Sequence, residues 1–154
     1  MKKTKIYFIQ EKKYYGYDEN DEENIEECMI IGYFTSQKMI NVVKNICLQN
    51  GIKEEDFDVQ CFNVSINYNQ KFVYVLSHAY SFQEKDGSFT DYEYIFEPQS
   101  NKKNCIRLKT ELKTKPKYNY SRSRDYSCCP PDGFVIERYE LNHIIYPINL
   151  KISF

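Results

Sequence analysis

The chain has 154 residues, 42% of them hydrophobic and 28% charged, and a formal net charge of −1. That length holds one domain or two very small ones, and the balance excludes a disordered or collagen-like chain. So small a net charge also argues against a surface built wholly for a phosphate backbone.

The first residues, Met1-Lys2-Lys3-Thr4-Lys5, are basic, but the apolar run Ile6 to Ile9 is too short for a signal peptide. No stretch reaches membrane-spanning length. Lys5 to Ile9 is the first expected strand, continuing toward Tyr14 and Tyr15. Asp18 to Glu27 follows with seven acids and no base, whose mutual repulsion favours a solvated hairpin connection. Cys28 to Phe34 is the second strand. Thr35-Ser36 then offer a helix cap, and Met39, Val42, Val43 and Ile46 make one helical stripe. Asn50-Gly51 ends that helix as a left-handed cap, and Phe57 to Val64 is the third strand.

The same order recurs 66 residues later. Lys71 to Leu76 is a strand, Asp86-Gly87 a turn, and Tyr92 to Phe96 a second strand. Ser100-Asn101 cap a helix with the sparser stripe Cys105, Leu108 and Leu112, which Pro116 stops. Pro130-Pro131-Asp132-Gly133 then launches the last strand, Phe134 to Leu141. Here the offset is 77, so about eleven extra residues fall within Lys115 to Pro131. Phe57 matches Phe134, Val59 matches Ile136, Phe62 matches Tyr139 and Val64 matches Leu141. Both copies shift the phase of their apolar residues midway, which a β-bulge in the strand would repair.

The fold these elements predict is α+β, with two tandem ββαβ modules. Each module is an antiparallel sheet with one packing helix, the first covering residues 1–68 and the second 69–154. A pseudo-two-fold would relate them within one compact body. The tail, Ile144 to Phe154, is expected as an edge strand or strap, since Pro147 argues against a central strand.

Ile31-Gly32-Tyr33-Phe34-Thr35-Ser36 and Pro131-Asp132-Gly133-Phe134-Val135-Ile136-Glu137-Arg138-Tyr139-Glu140-Leu141-Asn142 resemble the IGxYxS and PDGFxIxxYxLD motifs of a small bacterial domain family. Tyr74-Val75-Leu76-Ser77-His78 is similar to that family's opening strand. The glycine motif is clean in the first copy only, the PDGF motif in the second only, and Asn142 stands where the family has an acid. The resemblance implies a fold of tandem divergent copies and carries no established activity. It also implies a gene that accompanies toxin or defence genes.

Chemistry-bearing residues are few. The histidines are His78 and His143, and Ser77 beside His78 on a strand points to the opposite face. Six cysteines without a secretory signal read as reduced cytoplasmic thiols, with Cys47, Cys61 and Cys105 on expected core faces. The adjacent Cys128-Cys129 pair lacks a CxxC partner and is poor geometry for zinc, so neither metal nor cofactor is expected.

Charge gives the sharpest signal. Residues 1–70 carry 8 bases and 12 acids, residues 71–154 carry 13 bases and 10 acids. Lys102 to Arg124 hold nine bases against Glu111 alone, interleaved at the end with tyrosines. The expectation that fits best is a non-catalytic protein-binding module, a cytoplasmic inhibitor or immunity-type protein that neutralises a toxin or defence protein by occluding its surface. Its expected partner-binding residues are Lys115, Lys117, Tyr118, Tyr120, Arg122, Arg124 and Tyr126, facing an acidic protein. The alternatives are a nucleic-acid or nucleotide-binding module on Lys102–Arg124, and an enzyme pairing His78 with Cys128 or Cys129.

Overall fold

Uninterrupted apolar runs from Ile6 to Ile9 and from Phe72 to Leu76 suit strands covered on both faces, and these two segments lie at the centre of two separate sheets. The computed structural model describes residues 2–15, 25–83, 85–87, 89–118 and 132–145. Its strands are β1 (Lys2–Tyr15), β2 (Ile25–Phe34), β3 (Phe57–Ile66), β4 (Phe72–Gln83), β5 (Phe89–Ile95) and β6 (Phe134–Glu140). Its helices are α1 (Gln37–Gln49) and α2 (Lys102–Lys113). The sheets are ordered β2-β1-β3 and β5-β4-β6, so the fold is α+β in two similar halves. Two compact units result, Met1–Lys71 with Glu140–Phe154, and Phe72–Tyr139. The described residues after β6 thus group with the first unit, whereas the tandem reading counts them with the second module.

In the first unit α1 buries Val43 and Cys47, with Met39 and Ile40 a turn earlier, against Ile9, Ile31, Phe34 and Ile52. Val42, expected on this stripe, is 57% exposed. Val43 and Cys47, at i and i+4, set the facing line one residue further round the helix. Gly51 has φ +93 and closes a Schellman cap. Ile52 N–H donates to Cys47 O (3.1 Å) and Gly51 N–H to Leu48 O (3.3 Å).

The bulge expected in the third strand is not there. β3 pairs with β1 without a shift from Lys2↔Ile66 to Glu11↔Phe57. Phe57 packs with the cluster under α1, whereas Val64 and Ile66 are buried on the opposite face. The change of phase therefore marks apolar residues passing from one buried face to the other along a regular strand. The irregularity of this sheet sits between Ile9 and Gln10, where β1 pairs first with Gly32 and then with Ile30, leaving Ile31 as the extra residue. Cys61, expected in the core, is exposed, because β3 is an edge strand and α1 lies over β1 and β2.

Past β6 the chain runs beside the end of β2. Asn142 N–H donates to Tyr33 O and Ile145 N–H to Ile31 O, both at 2.8 Å. A Cβ on Gly32 would lie 2.5 Å from His143 O and 2.9 Å from the Phe34 ring, so this closure requires glycine. Asn142, at φ +61, accepts with Oδ1 from the Thr35 N–H at 2.9 Å. The glycine of one motif and the last residue of the other thus meet in the first unit. Residues 146–154, including Pro147, lie outside the described residues.

In the second unit Cys105 and Leu112 of α2 are buried against Leu76 and Phe134, with Leu108 and Ile136 at the margin. Asn101 caps α2 by accepting from the Asn104 N–H at 2.9 Å. The helix ends at Thr114, and Pro116–Tyr118 form a single 3-10 turn. Gly133, at φ +66, makes the turn into β6, and Asp132 Oδ1 accepts from the Phe134 N–H (3.2 Å). No helix among the described residues is long and apolar enough to cross a membrane.

A candidate basic and aromatic interface on the second unit

The core stripe of α2 at Cys105, Leu108 and Leu112 turns Lys103, Ile106, Arg107 and Thr110 outward. Lys102, Lys103 and Arg107 are exposed, and Ile106 among them is 49% exposed. The first turn of α2 carries no acid, so its lysines add to the positive end of the helix dipole instead of offsetting it.

Two bases of the run have a structural partner. Lys109 Nζ lies 2.5 Å and Lys113 Nζ 3.0 Å from Asp132 Oδ2. The two lysines are one turn apart on α2, so Asp132 ties the start of β6 to the helix. Burial would raise the Asp132 carboxyl, but hydrogen bonds from Lys109, Lys113 and the Phe134 N–H outweigh it. With the Lys109 charge they hold it below the usual aspartate range. Lys102, Lys103, Arg107, Lys115 and Lys117 form no ion pair among the described residues. Five of the nine bases thus face solvent, two are committed to Asp132, and Arg122 and Arg124 lie outside the described residues.

The aromatic residues divide differently from expectation. Tyr118 is 8% exposed and belongs to the core. Its ring lies edge-on to His78 (5.1 Å between centroids) and 5.7 Å from Phe96. Tyr120 and Tyr126 lie outside the described residues, as does Cys128-Cys129. Tyr94, which charge patterning does not single out, is 51% exposed and packs on Phe96 at 4.7 Å. Lys117 Nζ sits 5.5 Å from the Tyr94 ring centroid and 5.6 Å from that of Tyr118. The one local signal for Tyr94 is the crowded alternation Tyr92, Tyr94, Phe96 on a strand beside a thinly apolar helix.

His78 is buried between Tyr118 and Phe134. Burial pushes its imidazole below the ordinary value; the Asp132 charge works against that drop and the Lys117 charge adds to it. The buried thiols of Cys47 and Cys105 are pushed up to about 11, by burial in both and also by the Glu11 charge for Cys47. Both therefore stay protonated at neutral pH, the wrong state for a nucleophile. Glu11 itself is 2% exposed, and its Oε1 lies 2.7 Å from Lys13 Nζ, an ion pair without hydrogen-bond alignment. No cluster of three or more potential metal ligands occurs among the described residues.

No family model, curated protein or solved structure matches this chain.

Proposed function

We propose that this protein is a non-catalytic protein-binding module, an inhibitor of the immunity type that neutralises a toxin or defence protein by occluding its surface in the cytoplasm. The basic side of α2 and the segment 115–126 meet an acidic face of that partner. The observation that carries this reading is the division among the bases. Lys109 and Lys113 share the one carboxylate of Asp132, while Lys102, Lys103, Arg107, Lys115 and Lys117 stay exposed, with Lys117 against the half-exposed Tyr94. Exposed bases and a half-exposed aromatic residue supply the steering charge and the anchor that protein recognition uses.

A nucleic-acid backbone would also take these bases. The excess of acids in residues 1–70 and the exposed Ile106 favour a protein. The test is capture from nuclease-treated extract of the native host by the wild-type chain and by the triple variant Lys102→Glu, Lys103→Glu, Arg107→Glu. The expected result is a protein retained by wild type and lost by the variant. Capture that vanishes with nuclease, or that charge reversal leaves unchanged, overturns the reading.

A further inference from the structure

The exposed bases differ in how they are held. Lys102, Lys103 and Lys115 project from the helix and the turn after it with no ring contact among the described residues. Lys117 instead rests against two rings, with its Nζ 5.5 Å from the centroid of Tyr94 and 5.6 Å from that of Tyr118. Both rings are backed by further aromatic residues. Tyr118 is wedged among His78, Phe96 and Phe134 at centroid distances of 5.1, 5.7 and 6.1 Å. Tyr94 is backed by Phe96 at 4.7 Å and an interplanar angle of 59°. The ammonium thus rests on a packed aromatic floor, and half of the Tyr94 surface remains open beside it.

A lysine held in this way loses less side-chain entropy on binding than one free in solvent. Its electrostatic attraction to the rings holds the ammonium beside Tyr94 while the residue stays exposed. The open part of Tyr94 supplies apolar area with a polar tip, the composition of an interface anchor. We infer that Tyr94 and Lys117 form the anchor of the interface. They take one carboxylate of an acidic protein segment on Lys117 and cover the Tyr94 ring with an apolar side chain next to that carboxylate. This rests on the protein-binding reading above. Lys102, Lys103 and Arg107 then steer the encounter and contribute little to holding the complex.

The probe is a labelled oligoglutamate peptide containing leucine, with an oligothymidylate as the nucleic-acid arm, each measured by stopped-flow and equilibrium anisotropy. Tyr94→Ala and Lys117→Ala are expected to weaken peptide binding ~30-fold, mainly through faster dissociation. Tyr94→Phe keeps the ring and retains most of the affinity. Lys102→Ala with Lys103→Ala slows association and flattens the salt dependence. Both anchor positions are at the surface, and unchanged circular dichroism verifies that the variants fold. If Tyr94→Ala and Lys117→Ala bind like wild type while reversing Lys102, Lys103 and Arg107 abolishes binding, the anchor is wrong and the protein-binding reading survives. If wild type takes only the oligothymidylate, or neither probe, both fall.

Discussion

The two units solve the same folding problem and then diverge at one place. In each, the first strand is the middle of the sheet, the second and last strands flank it, and a single helix covers one face. In each, a 3-10 turn lies between helix and last strand, Glu54–Asp56 in the first unit and Pro116–Tyr118 in the second. The first turn is wholly acidic, and Glu54 Oε1 accepts from Lys44 Nζ of α1 at 3.0 Å. In the second, Lys117 and Tyr118 occupy the same topological station, Tyr118 entering the core and Lys117 lying across the rings. The fold constrains the stripe that packs and leaves the outward charge free. In the first unit that charge closes on its own helix, whereas in the second it opens toward solvent.

The first way to break the comparison concerns a contact peculiar to the first unit. Gly32→Ala places a Cβ 2.5 Å from the His143 carbonyl oxygen and 2.9 Å from the Phe34 ring. Overpacking of this kind costs about 1–3 kcal/mol, read as a lowered midpoint in urea unfolding. Unchanged stability would mean that the segment after β6 moves aside freely and does not complete the first unit.

A smaller loss is expected at Asn142. Its φ of +61 and its acceptance from the Thr35 N–H at 2.9 Å both favour the short amide. Asn142→Ala loses the acceptor and strains the backbone, at about 1–2 kcal/mol. Asn142→Asp keeps the acceptor and is expected to stay close to wild type. A similar loss for both variants would show that the bond Asn142 Nδ2 donates to Thr35 Oγ1 (3.1 Å) matters more than the one accepted from the Thr35 N–H.

Acid separates the units through His78 in the second. Its imidazole is pushed below the ordinary value of about 6.5 by burial, so its contribution is complete above that pH. That contribution is lost as pH falls from the unfolded value through the folded one, because the unfolded chain takes the proton first. Glu93 acts with the opposite sign: burial, and then the Glu137 charge, push its carboxyl up, so it disfavours folding as pH rises. Thermal unfolding in a Glu93→Gln background isolates the histidine. The midpoint is expected to fall between pH 6.5 and 5, and His78→Gln to flatten that fall. Asp132, whose carboxyl is held down by hydrogen bonds from Lys109 and Lys113, stabilises fully above the usual aspartate range and loses that contribution only as pH falls below it, outside this window. An identical slope with His78→Gln would assign the acid sensitivity to other groups.

Much of this architecture was legible in the sequence because strand and helix periods are local. The 66-residue offset marks paired elements, and Gly51 and Asn101 announce their caps. What failed depends on how far one element reaches over another. Val42 and Cys61 look buried in their own segments, but their exposure is set by where α1 lies on the sheet. Tyr118 sits in a basic run and reads as exposed, yet the space beside His78 and Phe134 takes its ring. The phase change in β3 is visible, while its cause, a second buried face, is not. The bond from Thr35 to Asn142 spans 107 residues and has no local trace. Of the candidate interface, charge patterning found Lys117 and missed Tyr94, since Tyr94 meets Lys117 only through the turn folded against it.

The smallest expected effect bears most directly on function. Both helices carry a lysine in the first turn and no acid there, Lys38 in α1 and Lys103 in α2. Positive charge at that end opposes the helix dipole, so Lys38→Glu and Lys103→Glu should each stabilise by about 0.3–1 kcal/mol at low salt. The gain should shrink as ionic strength rises. On stability alone the two substitutions are equivalent. On binding they are not: Lys103→Glu is expected to slow association with an acidic partner, and Lys38→Glu to leave it unchanged. Slower association for Lys103→Glu alone would tie that lysine to the proposed binding, with Lys38 in α1 as the measure of what the scaffold tolerates for its own sake. Equal effects of the two substitutions on association would mean that net charge alone sets the rate, and the distinction between the two helix faces would collapse.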